Sequence, residues 1–573
     1  MHGSTVAPVI LRRFYLYVVC AVSLGVLAFG VAGLGFTALY FAFRDPSSQV
    51  YRSTLGGFTA AVIVAGVVWG VHFWFARRYA LRDTGERASA IRHAYLYAAC
   101  FAGSVGATLA INAAAAGLLR PLIDACTVYG LEGQSTFQAT CTAKADWEAT
   151  AQAASIAVVL VAMWAFHMWV AARDRAAVGE SRVSTTIRRW YMYAALLIGV
   201  LIMLAGLSQA LEVAWEKYVE SPIGNFRYIG DGLGWAFAGL LLWAAHGWMV
   251  ARRHISEDRH STLRALEGFI VLAVSIASAL TGVGSILYYL IGRVLGVPGA
   301  GGIDPKDVLG NLAAPGSRLL VFGVAWVLVT RRLTRDAGTQ EADRQAAIRR
   351  LYTNLVCLVG VATWGAGAAI LLGTLAEQAE ARIIGVTTSD WRDSASLGIT
   401  SVVIGLAVWL AYWRHSPWAE DRQSFSRRAY VWVALLGSVL AVLAGGVGAL
   451  ATVLAQLFSV SPQLNDSTNL AFGQSVAVML VAAGIGAYHW RVLRADAKAR
   501  PAKFEPKVEV TTEHPPATEP PRATEPVLTF DPHSRRYTLV VSDATEDDIH
   551  QALATLPPQA SYRLTPGTTP NGH

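Results

Sequence analysis

One clause recurs along this chain and limits what it can fold into: an arginine, then aromatics, then a long apolar run. It appears as Arg12-Arg13-Phe14-Tyr15-Leu16-Tyr17, Arg92-His93-Ala94-Tyr95-Leu96-Tyr97 and Arg188-Arg189-Trp190-Tyr191-Met192-Tyr193. It returns as Arg349-Arg350-Leu351-Tyr352 and Arg427-Arg428-Ala429-Tyr430-Val431-Trp432, with a worn copy at Arg264-Ala265-Leu266-Glu267-Gly268-Phe269. The leading arginines stand 76 to 96 residues apart. That period is about twice that of a soluble solenoid repeat, so each unit needs two long elements.

A second clause closes each unit. It reads Trp69-x-x-His72-x-Trp74, Trp164-x-x-His167-x-Trp169 and Trp243-x-x-His246-x-Trp248, with arginines behind it. Units four and five keep Trp326 and Trp409, but Val329 and Tyr412 replace the histidine. Unit six carries Tyr488-His489-Trp490, read as the same clause shifted by one. Each clause ends an apolar stretch of about 20 residues, the length a helix needs to cross a bilayer core.

Composition agrees. The 573 residues are 54% hydrophobic and 15% charged, where a soluble protein carries about 25% charge. Twelve spans are expected between residues 14 and 490, in an all-α integral membrane protein of six tandem helical hairpins. The expected units are 1–90, 91–186, 187–262, 263–347 (divergent), 348–425 and 426–500. A Pro/Glu/Thr-rich linker follows at 501–534, then a small β-α-β element at 535–566 built on Tyr537–Val541, Glu546–Leu553 and Ser561–Leu564. The first apolar run is too long for a cleavable signal peptide.

Lys and Arg concentrate before span one and in the segments between units. The positive-inside rule therefore places both termini in the cytoplasm of a multi-pass cell-membrane protein. The net charge of +8 is this asymmetry meeting anionic headgroups, and it points to the lipid bilayer as partner and not to nucleic acid. Cys20, Cys100 and Cys357 fall inside spans, where cysteine packs as a small residue. Cys126 and Cys141 share an outer loop and form the disulfide candidate, with two free thiols as the alternative.

Odd-numbered spans carry two columns of small residues, seven positions apart and so on one helix face. The first reads Ser23, Gly103, Gly199, Ser275, Gly360 and Ser438; the second reads Gly30, Ala110, Gly206, Gly282, Gly367 and Gly445. Such columns let membrane helices approach closely.

A basic-aromatic start and a W-x-x-H-x-W close on paired spans in tandem resemble a bacterial membrane family, the "domain of unknown function" family numbered 5671, over residues 10–495. The resemblance implies a multi-pass helical protein of the bacterial inner membrane and brings no catalytic residue with it. Unit four departs from the pattern, lacking both the tyrosines and the histidine.

His72, His167 and His246 are candidate ligands for haem or metal. Their flanking tryptophans and arginines favour an interfacial belt, with the leading arginines snorkelling to the headgroups. Arg318 and Glu267 are the candidates for transport. Arg318 lies eight residues before Trp326, either inside the bilayer or at the outer interface if the span begins at Pro315. Glu267 lies at the opposite end of its own span, so the two should not pair. No Walker loop, nucleophile elbow, HExxH or CxxC occurs. A non-enzymatic scaffold or assembly component without a cofactor, associating with other membrane proteins, is the first expectation. A transporter or channel for a small solute is the second, and a haem-bearing redox protein the third.

Overall fold

A backbone in hydrocarbon must satisfy its own N–H and C=O groups, and a helix does so within one segment. The computed structural model describes residues 6–43, 49–123, 127–129, 138–140, 147–219, 228–253, 261–297, 308–337, 343–384, 391–414, 424–458 and 466–498. In chain order the long helices are α1 (Val6–Phe43), α2 (Gln49–Arg82), α4 (Ala90–Ile123), α5 (Trp147–Val178), α6 (Arg182–Tyr218) and α7 (Ile229–Arg253). They continue as α8 (Thr262–Leu295), α10 (Ala313–Ala337), α11 (Asp343–Ile384), α12 (Trp391–Arg414), α13 (Phe425–Phe458) and α14 (Asp466–Lys498). All 12 are long and apolar enough to cross a membrane. Two short helices, α3 (Thr84–Arg87) and α9 (Val308–Asn311), join them.

Arg92, Arg264 and Arg427 fall in the first turn of their helices, and Arg12, Arg188 and Arg349 in the second. Ser261 and Ser424 accept hydrogen bonds from the backbone N–H of Arg264 and Arg427, the usual role of serine at an N-cap. At the other end of α8, Gly296 takes a left-handed φ of 71°, which glycine adopts without steric cost.

Helices pair consecutively into antiparallel hairpins, and the small-residue columns are the reason. A Cβ on Gly206 would stand 2.3 Å from the Ala236 nitrogen and 2.6 Å from the Gly232 oxygen. One on Gly199 would meet the Trp243 nitrogen at 2.7 Å. Gly282 faces the Pro315 oxygen at 2.6 Å, and Gly445 the Ser475 oxygen at 2.5 Å. At these places backbone lies on backbone, and only glycine fits.

Between hairpins one rule holds throughout: the first helix of each hairpin packs on the second helix of the next. The pairs are α1 with α5, α4 with α7, α6 with α10, α8 with α12 and α11 with α14. First helices also touch in succession, α1 to α4 to α6 to α8 to α11 to α13. Repeats stacked only on their neighbours form a quasi-one-dimensional array.

Among the described residues the strands are β1 (Thr127–Tyr129) and β2 (Gln138–Thr140), an antiparallel pair with Thr127 opposite Thr140. The β-α-β element expected at 535–566, like its linker at 501–534, lies outside the described residues, so the structure gives that appendage no support. All described residues belong to one compact unit, Met1–Pro501.

Candidate functional site

The two clauses meet in a hydrogen-bonded relay. In the second hairpin the imidazole of His167 lies with Nδ1 2.8 Å from the Met163 carbonyl oxygen, one turn back on its own helix. Nδ1 therefore carries the proton and Nε2 is free to accept. The Tyr95 hydroxyl donates to that Nε2 at 3.1 Å. Tyr95 in turn accepts from the indole N–H of Trp69 at 3.1 Å, and Trp69 belongs to the preceding hairpin. Each N–H and O–H on the line from Trp69 to the Met163 carbonyl has an acceptor.

The same line recurs twice. Trp164 donates to Tyr191 at 2.7 Å, and Tyr191 to His246 at 2.6 Å. Trp409 donates to Tyr430 at 3.0 Å, and Tyr430 to His489 at 2.9 Å. His246 and His489 also donate from Nδ1 to the carbonyl four residues back. His167, His246 and His489 are each 1% exposed. The repeated tryptophan thus serves the next hairpin, while tyrosine and histidine close their own.

A second tier sits seven residues beyond the histidine position. Asp174, Asp336 and Asp496 receive the Nε–H of Arg92, Arg264 and Arg427 at 2.7, 2.8 and 2.8 Å. In the first hairpin that position is Tyr79, and the Arg12 guanidinium stacks 4.4 Å over its ring. The next tyrosine of the clause accepts from an arginine: Arg92 donates across the hairpin boundary to Tyr17 at 3.0 Å, and Arg175 donates within its own hairpin to Tyr97 at 2.7 Å.

Unit four replaces this chemistry. Glu267 stands where the relay tyrosine would be, is buried, and is paired with Arg332. In unit five Tyr352 meets Tyr412 at 3.4 Å in place of a tyrosine–histidine bond. Here a groove of about 520 Å³ opens between α8, α11 and α12, lined by Thr281, Tyr288, Thr363, Asp393 and Thr400 among apolar residues. Tyr288 donates to Asp393, and the buried Thr400 hydroxyl has no hydrogen-bond partner.

The candidates read from the sequence separate accordingly. His167 and His246 lie buried in the protein, and both nitrogens of each ring are engaged. His72 is half-buried and meets Tyr15 at 3.3 Å. The last tryptophan of the clause faces outward instead. Trp74, Trp169 and Trp490 are exposed, each beneath an arginine one turn on, at 5.1, 4.8 and 5.2 Å. The leading arginines Arg92 and Arg188 are buried in ion pairs with Asp174 and Glu180 and do not snorkel.

The closing clause of unit six has not shifted as a block. His489 holds the relay position, and Gly486 replaces the donor tryptophan three residues before it. Arg318 is exposed in the second turn of α10 and pairs with no carboxylate among the described residues. Arg318 and Glu267 are not brought together. Cys126 and Cys141 lie outside the described residues. Among those residues, no group of three His, Cys, Asp or Glu is placed to hold a metal. The aspartates of the second tier escaped sequence reading, although a fixed spacing of seven from the histidine column marks them.

A family described as "Domain of unknown function (DUF5671)" matches the chain four times in tandem, over residues 13–138, 131–236, 269–372 and 350–484. The first match runs through α1, α2 and α4, and so includes the Trp69–Tyr95 link between hairpins. No curated protein and no solved structure matches.

Proposed function

The chain belongs to the DUF5671 family, and from that premise we propose that it is a non-enzymatic membrane scaffold or assembly component. One observation carries the reading: the repeated polar residues are used up in joining hairpin to hairpin. Trp69–Tyr95, Trp164–Tyr191 and Trp409–Tyr430 each cross a hairpin boundary and end on a histidine with no free nitrogen. A path for solute requires polar groups held open to it, and broken helices near the midplane are its common sign. The six hairpin units place their basic ends in the cytoplasm of a bacterial cell membrane, with both termini on that side. Cys126 and Cys141 form a disulfide outside, since their sequence neighbours Thr127 and Thr140 are paired across β1 and β2. Other membrane proteins are the partners.

The groove beside Thr400 and Asp393 favours a second reading, a transporter or channel. Proteoliposomes separate the two. A scaffold leaves them as tight as empty vesicles. A solute-dependent current that Asp393→Asn abolishes would replace the scaffold with a carrier. The haem reading requires a Soret band in the purified protein that disappears in His246→Gln.

A further inference from the structure

Where α2, α3, α4 and α5 come together at the basic end of the first two hairpins there is a cavity of about 200 Å³. One water needs about 10–15 Å³ of such space, so the cavity holds far more than a single solvent molecule. Four arginines line it, Arg77, Arg87, Arg92 and Arg173, against one carboxylate, Asp174. Asp174 is already engaged. It accepts from Arg92 at 2.7 Å and lies 3.5 Å from Arg87. Arg77 and Arg173 pair with no carboxylate among the described residues. Arg92 is 2% exposed, and the Arg87 Nε–H is buried without a hydrogen-bond partner. Four guanidinium groups around one carboxylate leave a surplus of three positive charges, two of them on the exposed Arg77 and Arg173 at the mouth of the cavity.

Guanidinium is planar and presents its donors as a fork, which fits the paired oxygens of a phosphate. The rim is apolar on the sides that face away from the protein. Leu81 on α2 is 64% exposed and Trp169 on α5 is 48% exposed. An anion fixed here would sit at the edge of an acyl-chain surface. Basic pockets between helices at this level suit lipid headgroups.

We propose that this cavity binds the phosphate of an anionic phospholipid. The Arg87 Nε–H, which lies 3.5 Å from Asp174 without a hydrogen bond, and the in-plane N–H groups of Arg77 and Arg173 supply the hydrogen bonds, and Trp169 and Leu81 meet the glycerol and upper acyl chain. Arg92 is a positioning residue, since its own donors hold Asp174 and Tyr17. This site is independent of whether the array is a scaffold or a carrier.

Native mass spectrometry of the full chain in detergent provides the test, with phosphatidylglycerol, phosphatidylcholine and inorganic phosphate added separately. The unsubstituted protein should hold phosphatidylglycerol in preference to phosphatidylcholine. The double change Arg77→Gln with Arg87→Gln should weaken phosphatidylglycerol by about tenfold or more. Arg78→Gln, one residue along α2 and outside the cavity, should leave it within about twofold. Arg173→Gln on the exposed face of α5 gives an independent reading that a folding defect in the double variant would not affect, and should weaken binding by about fivefold. Equal binding of the two lipids, or unchanged binding in all three cavity substitutions, would overturn the proposal. Inorganic phosphate that binds with the same dependence on these arginines, without any lipid preference, would overturn the lipid and leave a free anion in its place.

Discussion

The Tyr191 hydroxyl accepts from Trp164 and donates to His246, so removing one oxygen strands two buried groups at once. Tyr191→Phe should lower stability by about 1–3 kcal/mol, read as a fall in unfolding midpoint in mixed micelles. Tyr15→Phe removes the corresponding group from a half-exposed pair with a 3.3 Å contact, and should cost well under about 1 kcal/mol. The ion pair of unit four should be asymmetric. Arg332 is 31% exposed and can turn toward water, whereas Glu267 is 3% exposed. Arg332→Met leaves a buried carboxylate alone and should cost about 3–5 kcal/mol, while Glu267→Gln should cost distinctly less in the same assay. The residue columns themselves were legible in the sequence: Arg92, Tyr95, Trp164 and His167 stand at fixed spacings. Their partners were not. A tryptophan ahead of arginines at the end of an apolar run reads as a headgroup anchor, and Trp74, Trp169, Trp248 and Trp490 are exposed as that reading requires. Trp69 and Trp164 are identical in type but turn inward, because the five positions that separate them from Trp74 and Trp169 rotate the side chain by about 140° around the helix.

Helix by helix, the small-residue columns set how near the two arms of a hairpin come. Gly206→Leu would drive a side chain into the Ala236 backbone, and should leave the protein poorly expressed or polydisperse on size exclusion. Gly437→Leu lies on α13 with nothing within 4 Å of its Cβ direction, and should be tolerated. Both the spans and the columns were readable from the chain, since hydrophobic length and a spacing of seven are local properties. Which hairpin each helix chooses as its neighbour was not. The rule that α4 packs on α7 and α11 on α14 depends on contacts about a hundred residues apart for which no short pattern speaks. With α10 starting at Ala313, Arg318 falls in its second turn and is exposed, and Arg318→Ala should be nearly silent in unfolding midpoint.

Across the whole molecule the relay is not uniform: among the described residues Tyr15 meets His72 without a tryptophan donor, and Gly486 stands where the donor tryptophan of its clause would be. Single cysteines placed in 333–346 should be labelled only from the cytoplasmic side, and those in 125–142 only from outside, if the basic ends face in; the buried Cys20, Cys100 and Cys357 should stay silent in both. The central claim is that the relay holds one hairpin to the next, and a double-mutant cycle across the second and third hairpins tests it most directly. Trp164→Phe and Tyr191→Phe, alone and together, should show a coupling energy of about 0.6–1.7 kcal/mol in reversible unfolding from mixed micelles. Additivity within about 0.3 kcal/mol would show that the two side chains lie close without joining the hairpins, and would contradict the account.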